Sequence, residues 1–125
     1  LQVGAAMVPD AMWADYKRES LGLTVLSTEY GFAAYVLAPE CLFIDEFYVV
    51  PERRKLGLGK YLLNDLCTVA HNAGLRYIRS TVSLASLTAS SSLSAQLAVG
   101  FQAIKAENGS ILLQLEVGPD GKRIR

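Results

Sequence analysis

A chain of 125 residues is long enough for one buried core, and a composition 51% hydrophobic and 19% charged excludes a disordered protein. Twelve basic residues balance twelve acidic ones, so no overall field draws nucleic acid or an anionic membrane. Two cysteines, Cys41 and Cys67, exclude a CxxC metal set and a disulfide framework; each stands among apolar residues, as a buried free thiol would.

The chain starts Leu1-Gln2-Val3-Gly4, without the basic-then-apolar pattern of a secretory signal, and its lack of an initial Met suits removal of an upstream piece. No apolar run reaches the roughly 18 residues of a membrane span, so the cytoplasm is the expected compartment. Pro9 to Ser20 reads as a short helix with Pro9 in its first turn. Met12, Trp13 and Tyr16 recur at helical spacing and predict one apolar stripe packed on a sheet. Leu23 to Thr28 is β-rich, Glu29-Tyr30-Gly31 supplies a tight turn, and Phe32 to Leu37 is a second strand, stopped by Pro39. Cys41 to Val50 is a third. Three strands so closely spaced predict an antiparallel meander.

Pro51 ends the third strand, and a helix is expected from Leu56 to Asn72, its buried face made by Leu62, Leu63, Leu66, Val69 and Ala70. Asn72-Ala73-Gly74 stops it, and Tyr77 to Val82 is the next strand, most economically reached by a right-handed crossover. Thr88 can cap a helix from Ala89 to Val99, ended by Gly100. Phe101 to Lys105 and Ser110 to Val117 form a hairpin around Glu107-Asn108-Gly109, and residues after Gly118 are expected to fray. There is no internal repeat or linker, so residues 1–125 read as a single α/β (α+β) domain.

The stretch that carries chemistry is Phe47-Tyr48-Val49-Val50-Pro51-Glu52-Arg53-Arg54-Lys55-Leu56-Gly57-Leu58-Gly59-Lys60. A strand runs into a proline, a basic glycine-containing loop and an amphipathic helix. The N–H groups at a helix start lack intrahelical acceptors, and with the helix dipole they form an anion site suited to a pyrophosphate. Glycines 57 and 59 remove side chains from that approach, while Arg53, Arg54 and Lys55 add positive charge. Two competing loops fail: a nucleotide P-loop needs glycine where Arg54 stands, and a dinucleotide fingerprint needs one where Leu62 stands.

Arg54-Lys55-Leu56-Gly57-Leu58-Gly59, after Val49-Val50-Pro51-Glu52, resembles the acetyl-coenzyme A signature of the GCN5-related N-acetyltransferase (GNAT) family: strand, Pro, then Arg/Gln-x-x-Gly-x-Gly/Ala opening a helix. The six-residue core is common by chance; its strand-Pro-loop-helix setting makes it specific. The element order and Gly100-Phe101 after the second helix also follow the family. Its usual opening strand and two helices are shortened here to one evident helix, a compact version similar to short phage-borne members. The resemblance implies a mixed, mostly antiparallel central sheet, splayed at a cofactor wedge and flanked by helices. It implies that Phe47, Tyr48 and Val49 line the pantetheine arm through their backbone. Arg54, Lys55, Leu56, Gly57, Leu58, Gly59 and Lys60 would cradle the pyrophosphate. No metal is implied.

The family passes acetyl directly from the thioester to an amine. A lysine-like amine has a reference pKa near 10.4, so deprotonation at pH 7 costs roughly 4.6 kcal/mol. A carboxylate can assist, and the resemblance makes Glu46, directly before the aromatic pair, the first candidate base and Asp45 the second; alternation sends them to opposite faces. The plainer reading of either is that it caps the sheet edge or pairs with a surface arginine. The family's thiol-protonating tyrosine is replaced by Gln96, and an asparagine earlier on that helix by Ala89. Glutamine can donate a hydrogen bond but not a proton.

His71, near the end of the loop-following helix, reads as a helix-terminus residue, and Ser90 to Ser92 as small helix-start residues. Three readings stay open: an acetyltransferase for a primary amine, an acyl-coenzyme A-binding module without turnover, and a phage or mobile-element accessory enzyme acting on a host protein or modified base. Neutral charge disfavours a nucleic-acid acceptor, and exposed strand edges suit a homodimer.

Overall fold

The computed structural model describes residues 11–56, 58–87 and 89–122. Along the chain run α1 (Ala11–Leu21), β1 (Thr24–Ser27), β2 (Gly31–Leu37), β3 (Leu42–Val49), a 3-10 turn (Pro51–Leu56), α2 (Leu58–Asn72), β4 (Tyr77–Ser83), α3 (Ala89–Ala98), β5 (Gln102–Glu107) and β6 (Ser110–Glu116). The strands make a six-stranded mixed sheet in the order β1-β2-β3-β4-β6-β5, the α/β class expected. By internal packing the described residues divide into two compact units: those up to 36 with 44–65, and 37–43 with those from 66 onward.

In the first unit β1 and β2 pair antiparallel, Thr24 opposite Tyr35 and Ser27 opposite Phe32. Their connection is tied by Thr28, whose hydroxyl accepts from the N–H groups of Tyr30 at 3.3 Å and Gly31 at 3.1 Å. The Thr28 N–H donates to the Gly31 carbonyl at 2.8 Å, and the Val50 N–H to the Tyr30 carbonyl at 2.8 Å, so the turn is locked to the end of β3. A Cβ on Gly31 would lie 2.1 Å from the Tyr48 carbonyl oxygen and 2.9 Å from Val49 Cα. Gly31 is therefore required by close backbone approach, not merely by the turn that its sequence context suggests.

The apolar stripe expected on the first helix is corrected by the structure. Met12 is 80% exposed and Tyr16 59%. Trp13, Ala14 and Lys17 are the half-buried positions of α1. Trp13 meets Phe32 edge-on at 5.2 Å between centroids, and Phe32 leans on Tyr48 at 5.9 Å. One large indole covers the aromatic end of β2, and an ion pair holds Lys17 inward where Tyr16 was expected. The helix expected from Leu56 also starts later. Pro51 has no N–H to continue a strand ladder and a fixed φ, and the Arg53 N–H turns back to the Val50 carbonyl at 2.9 Å, opening the 3-10 turn that precedes α2.

In the second unit β6 pairs antiparallel with both β4 and β5. Asn108 (φ 53°) and Gly109 (φ 75°) both take the left-handed conformation that a two-residue hairpin turn demands, as expected. Cys67, Ile78, Leu113 and Leu115 are almost wholly buried in the core of this unit. Cys41 and Cys67 are free and buried, and burial raises the Cys41 thiol above its ordinary range, with the charge of Arg79 opposing. Gly100 closes α3 in a left-handed conformation (φ 111°). Its N–H donates to the Leu97 carbonyl and that of Phe101 to the Gln96 carbonyl, the paired bonds of a Schellman cap. The tail does not simply fray after Gly118: the Gly118 N–H bonds the Lys122 carbonyl at 2.6 Å, and a Cβ on Gly121 would lie 3.3 Å from the His71 ring. His71 sits exposed in the last turn of α2, as its position predicted. Pro9, Asp10, Thr88 and residues 123–125 lie outside the described residues. No helix among those described is long and apolar enough to cross a membrane.

Candidate functional site

Strand alternation puts Glu46 and Tyr48 on one face of β3 and Asp45, Phe47 and Val49 on the other. Asp45 is exposed, while Glu46 is half-buried. Glu46 Oε2 accepts a hydrogen bond from Lys17 Nζ at 2.8 Å, the lysine side chain being 12% and the glutamate 38% exposed. The same ammonium lies 5.0 Å from the centroid of the Trp13 ring, within cation–π range. The Glu46 hydrogen bond, with further help from the charges of Glu46 and Asp45, raises the Lys17 amine above its ordinary range against the opposing effect of burial. Lys17 thus stays an ammonium. Sequence reading missed it; the available signal was its place one helical turn after Trp13, on the same face.

The opposite face of β3 meets the start of α2. A Cβ on Gly59 would lie 3.9 Å from both Phe47 and Val49, ordinary van der Waals contact. The fold would therefore accept alanine there. Gly59→Ala is expected to raise stability by about 0.5–1 kcal/mol, since Ala loses less conformational freedom in a helix; a thermal melt should rise by a few degrees.

Arg54, Lys55 and Leu56 lie in the 3-10 turn, Leu58, Gly59 and Lys60 open α2, and Gly57 lies outside the described residues. The N–H groups of this first turn have no carbonyl four residues earlier within α2 to accept them. Arg53 and Lys60 are exposed, and neither forms an ion pair among the described residues. Helix-start donors beside exposed cations fit a phosphorylated ligand.

In the second unit the buried Ser80 hydroxyl donates to Gln96 Oε1. That bond fixes the amide, with its NH₂ turned from Ser80 and able to donate elsewhere. The replacement of tyrosine by Gln96 is therefore an oriented polar group. Ser80 was not singled out from the sequence, because a serine in a strand carries no signal of what lies across from it. Ala89 to Ser92 form the first turn of α3, as expected.

The acetyltransferase (GNAT) family profile matches residues 8–92. A GNAT-family acetyltransferase of Elizabethkingia anophelis with acetyl-CoA bound has a similar structure, at 19% identity and a TM-score of 0.64, over 86% of this chain and 84% of that one. A protein of Desulfovibrio desulfuricans assigned to the GNAT family aligns at 24% identity and a TM-score of 0.61, over 71% of this chain but only 62% of its own. The PaiA N-acetyltransferase of Thermoplasma acidophilum, in complex with coenzyme A, aligns at 19% identity and a TM-score of 0.60, over 68% of this chain and 52% of its own. At these identities the likeness is one of fold. No curated protein sequence matches.

Proposed function

The chain belongs to the GNAT acetyltransferase family, and from that premise we propose that its 125 residues act as one domain moving acetyl from acetyl-coenzyme A to a primary amine of a small molecule, peptide or protein. Bound acetyl-coenzyme A would supply the activated acyl group as a thioester. The observation that carries this reading is the start of α2, where helix-start N–H groups without an acceptor within α2 adjoin exposed Arg53 and Lys60, neither of them ion-paired among the described residues.

Backbone groups of Phe47, Tyr48 and Val49 hold the pantetheine arm in this reading, and Arg54 to Lys60 hold the pyrophosphate. Because the family pattern admits alanine at the second glycine, Gly59→Ala keeps coenzyme A binding while it gains stability. Glu46 takes the proton of the acceptor amine, with Asp45 the alternative. The Gln96 amide, oriented by Ser80, can donate a hydrogen bond but not a proton. A thiol with a reference pKa near 8.5 leaves without needing a full proton transfer.

A second reading is supported by two observations: Gln96 cannot protonate a thiolate, and the candidate base Glu46 is already paired with Lys17. It is an acyl-coenzyme A-binding module without turnover. Coenzyme A at a hundredfold excess over its dissociation constant should stabilise the protein by about 2.7 kcal/mol, a rise of about 10 °C in melting temperature. Release of free thiol from acetyl-coenzyme A across a panel of amines then separates the two readings. Stabilisation without thiol release favours the module, and an unmoved melting temperature removes both.

A further inference from the structure

A general base must sit within hydrogen-bond reach of the proton it takes, so whatever amine touches it occupies the acceptor position. Glu46 already has such an amine. Lys17 Nζ lies 2.8 Å from its Oε2 and 5.0 Å from the Trp13 ring centroid. A carboxylate on one side and an aromatic face on the other is the chemistry that recognises a primary ammonium. Trp13 is itself held edge-on by Phe32, which leans on Tyr48 beside the same strand position. The seat is therefore built into the aromatic packing of α1 on β2 and β3.

We infer that Lys17 fills the seat of the acceptor amine and is itself an acetyl acceptor, modified by the acetyl-coenzyme A bound to its own chain. The inference rests on the acetyltransferase reading and on Glu46 as base. The Lys17 ammonium gives one proton to the Glu46 carboxylate, and the freed nitrogen forms a bond to the acetyl carbonyl carbon. The carbon–sulfur bond of the thioester breaks, the second proton of the nitrogen passes to the departing thiolate, and Glu46 gives the proton it took to solvent. The products are acetyl-Lys17 and coenzyme A. The amide formed carries no charge, so the ion pair with Glu46 is lost and the carboxylate is released to serve an external amine.

The full chain is incubated with acetyl-coenzyme A, and acetylation of each lysine is quantified by peptide mass spectrometry. Lys105 and Lys122, both exposed, report direct chemical acetylation. Lys17, although only 12% exposed, should be modified at least about tenfold faster than either, and Glu46→Gln should remove that advantage. A second readout needs no cofactor. Trp13 is the only tryptophan, so its fluorescence reports the seat; n-butylammonium should change it saturably in Lys17→Met and leave the wild type unaffected. Three results would overturn the inference: labelling of Lys17 no faster than that of the control lysines, labelling that persists in Glu46→Gln, or no saturable response in Lys17→Met. If coenzyme A still raises the melting temperature and external amines still turn over, this inference falls alone. If coenzyme A does not bind, it falls together with the acetyltransferase reading.

Discussion

Glu46→Gln should cut the turnover of a lysine-like amine at pH 7 by about 10²–10⁴-fold, with coenzyme A binding retained. The size follows from the acceptor: with a reference pKa near 10.4, only about one amine in 2,500 is neutral at pH 7. Without a base the enzyme must wait for that fraction, so the variant's rate should climb about tenfold per pH unit toward the amine's own pKa. Steady-state kinetics from pH 6 to 10 reads both effects. An unchanged rate would take the base role from Glu46 and pass it to Asp45, on the opposite face of β3.

The variant also loses the ion pair with Lys17. The Lys17 amine is raised in the fold, so the pair's stabilisation is fully present below the ordinary lysine value and is lost as pH rises above it. Replacing the carboxylate removes that contribution throughout. Glu46 is 38% exposed, so the cost is about 1 kcal/mol or less. Kinetics well below the melting transition therefore reports chemistry.

Gly31→Ala should do the reverse of Gly59→Ala. Its Cβ would be built 2.1 Å from the Tyr48 carbonyl oxygen, so backbone rather than a mobile side chain must yield. The turn cannot give readily, because the Thr28 hydroxyl holds both Tyr30 and Gly31, and the Val50 N–H holds the Tyr30 carbonyl. Overpacking of this kind costs about 1–3 kcal/mol, which lowers the melting temperature by roughly 10 °C at the upper end. Because Tyr48 and Val49 are the displaced groups, coenzyme A affinity should fall as well, by about tenfold for each 1.4 kcal/mol of lost contact. Calorimetry with and without coenzyme A checks both. An unshifted melting temperature would mean the ends of β2 and β3 separate freely.

The two glycines illustrate what a sequence carries. Both read as loop or turn residues, and nothing local tells that Gly31 presses on a carbonyl while Gly59 has space to spare. The helix at 58–72 was legible from its apolar face and the hairpin from Asn108-Gly109, since each depends on residues a few positions apart. The 3-10 turn was not, because Pro51 and the basic residues after it suit either a helix start or a tighter turn.

By itself the sequence determined the element order, the strand-Pro-loop-helix signature with its basic residues and glycines, and the buried state of both cysteines. These are properties of short segments, set by backbone preference and by the spacing of apolar side chains. Only the tertiary structure decided that Glu46 is held by Lys17, 29 positions away, that Ser80 orients Gln96, and that Trp13 rather than Tyr16 faces the strands. Periodicity records which face of a segment is covered; it does not record which partner covers it. That choice belongs to the folded arrangement, where a charge from one element and a ring from another meet.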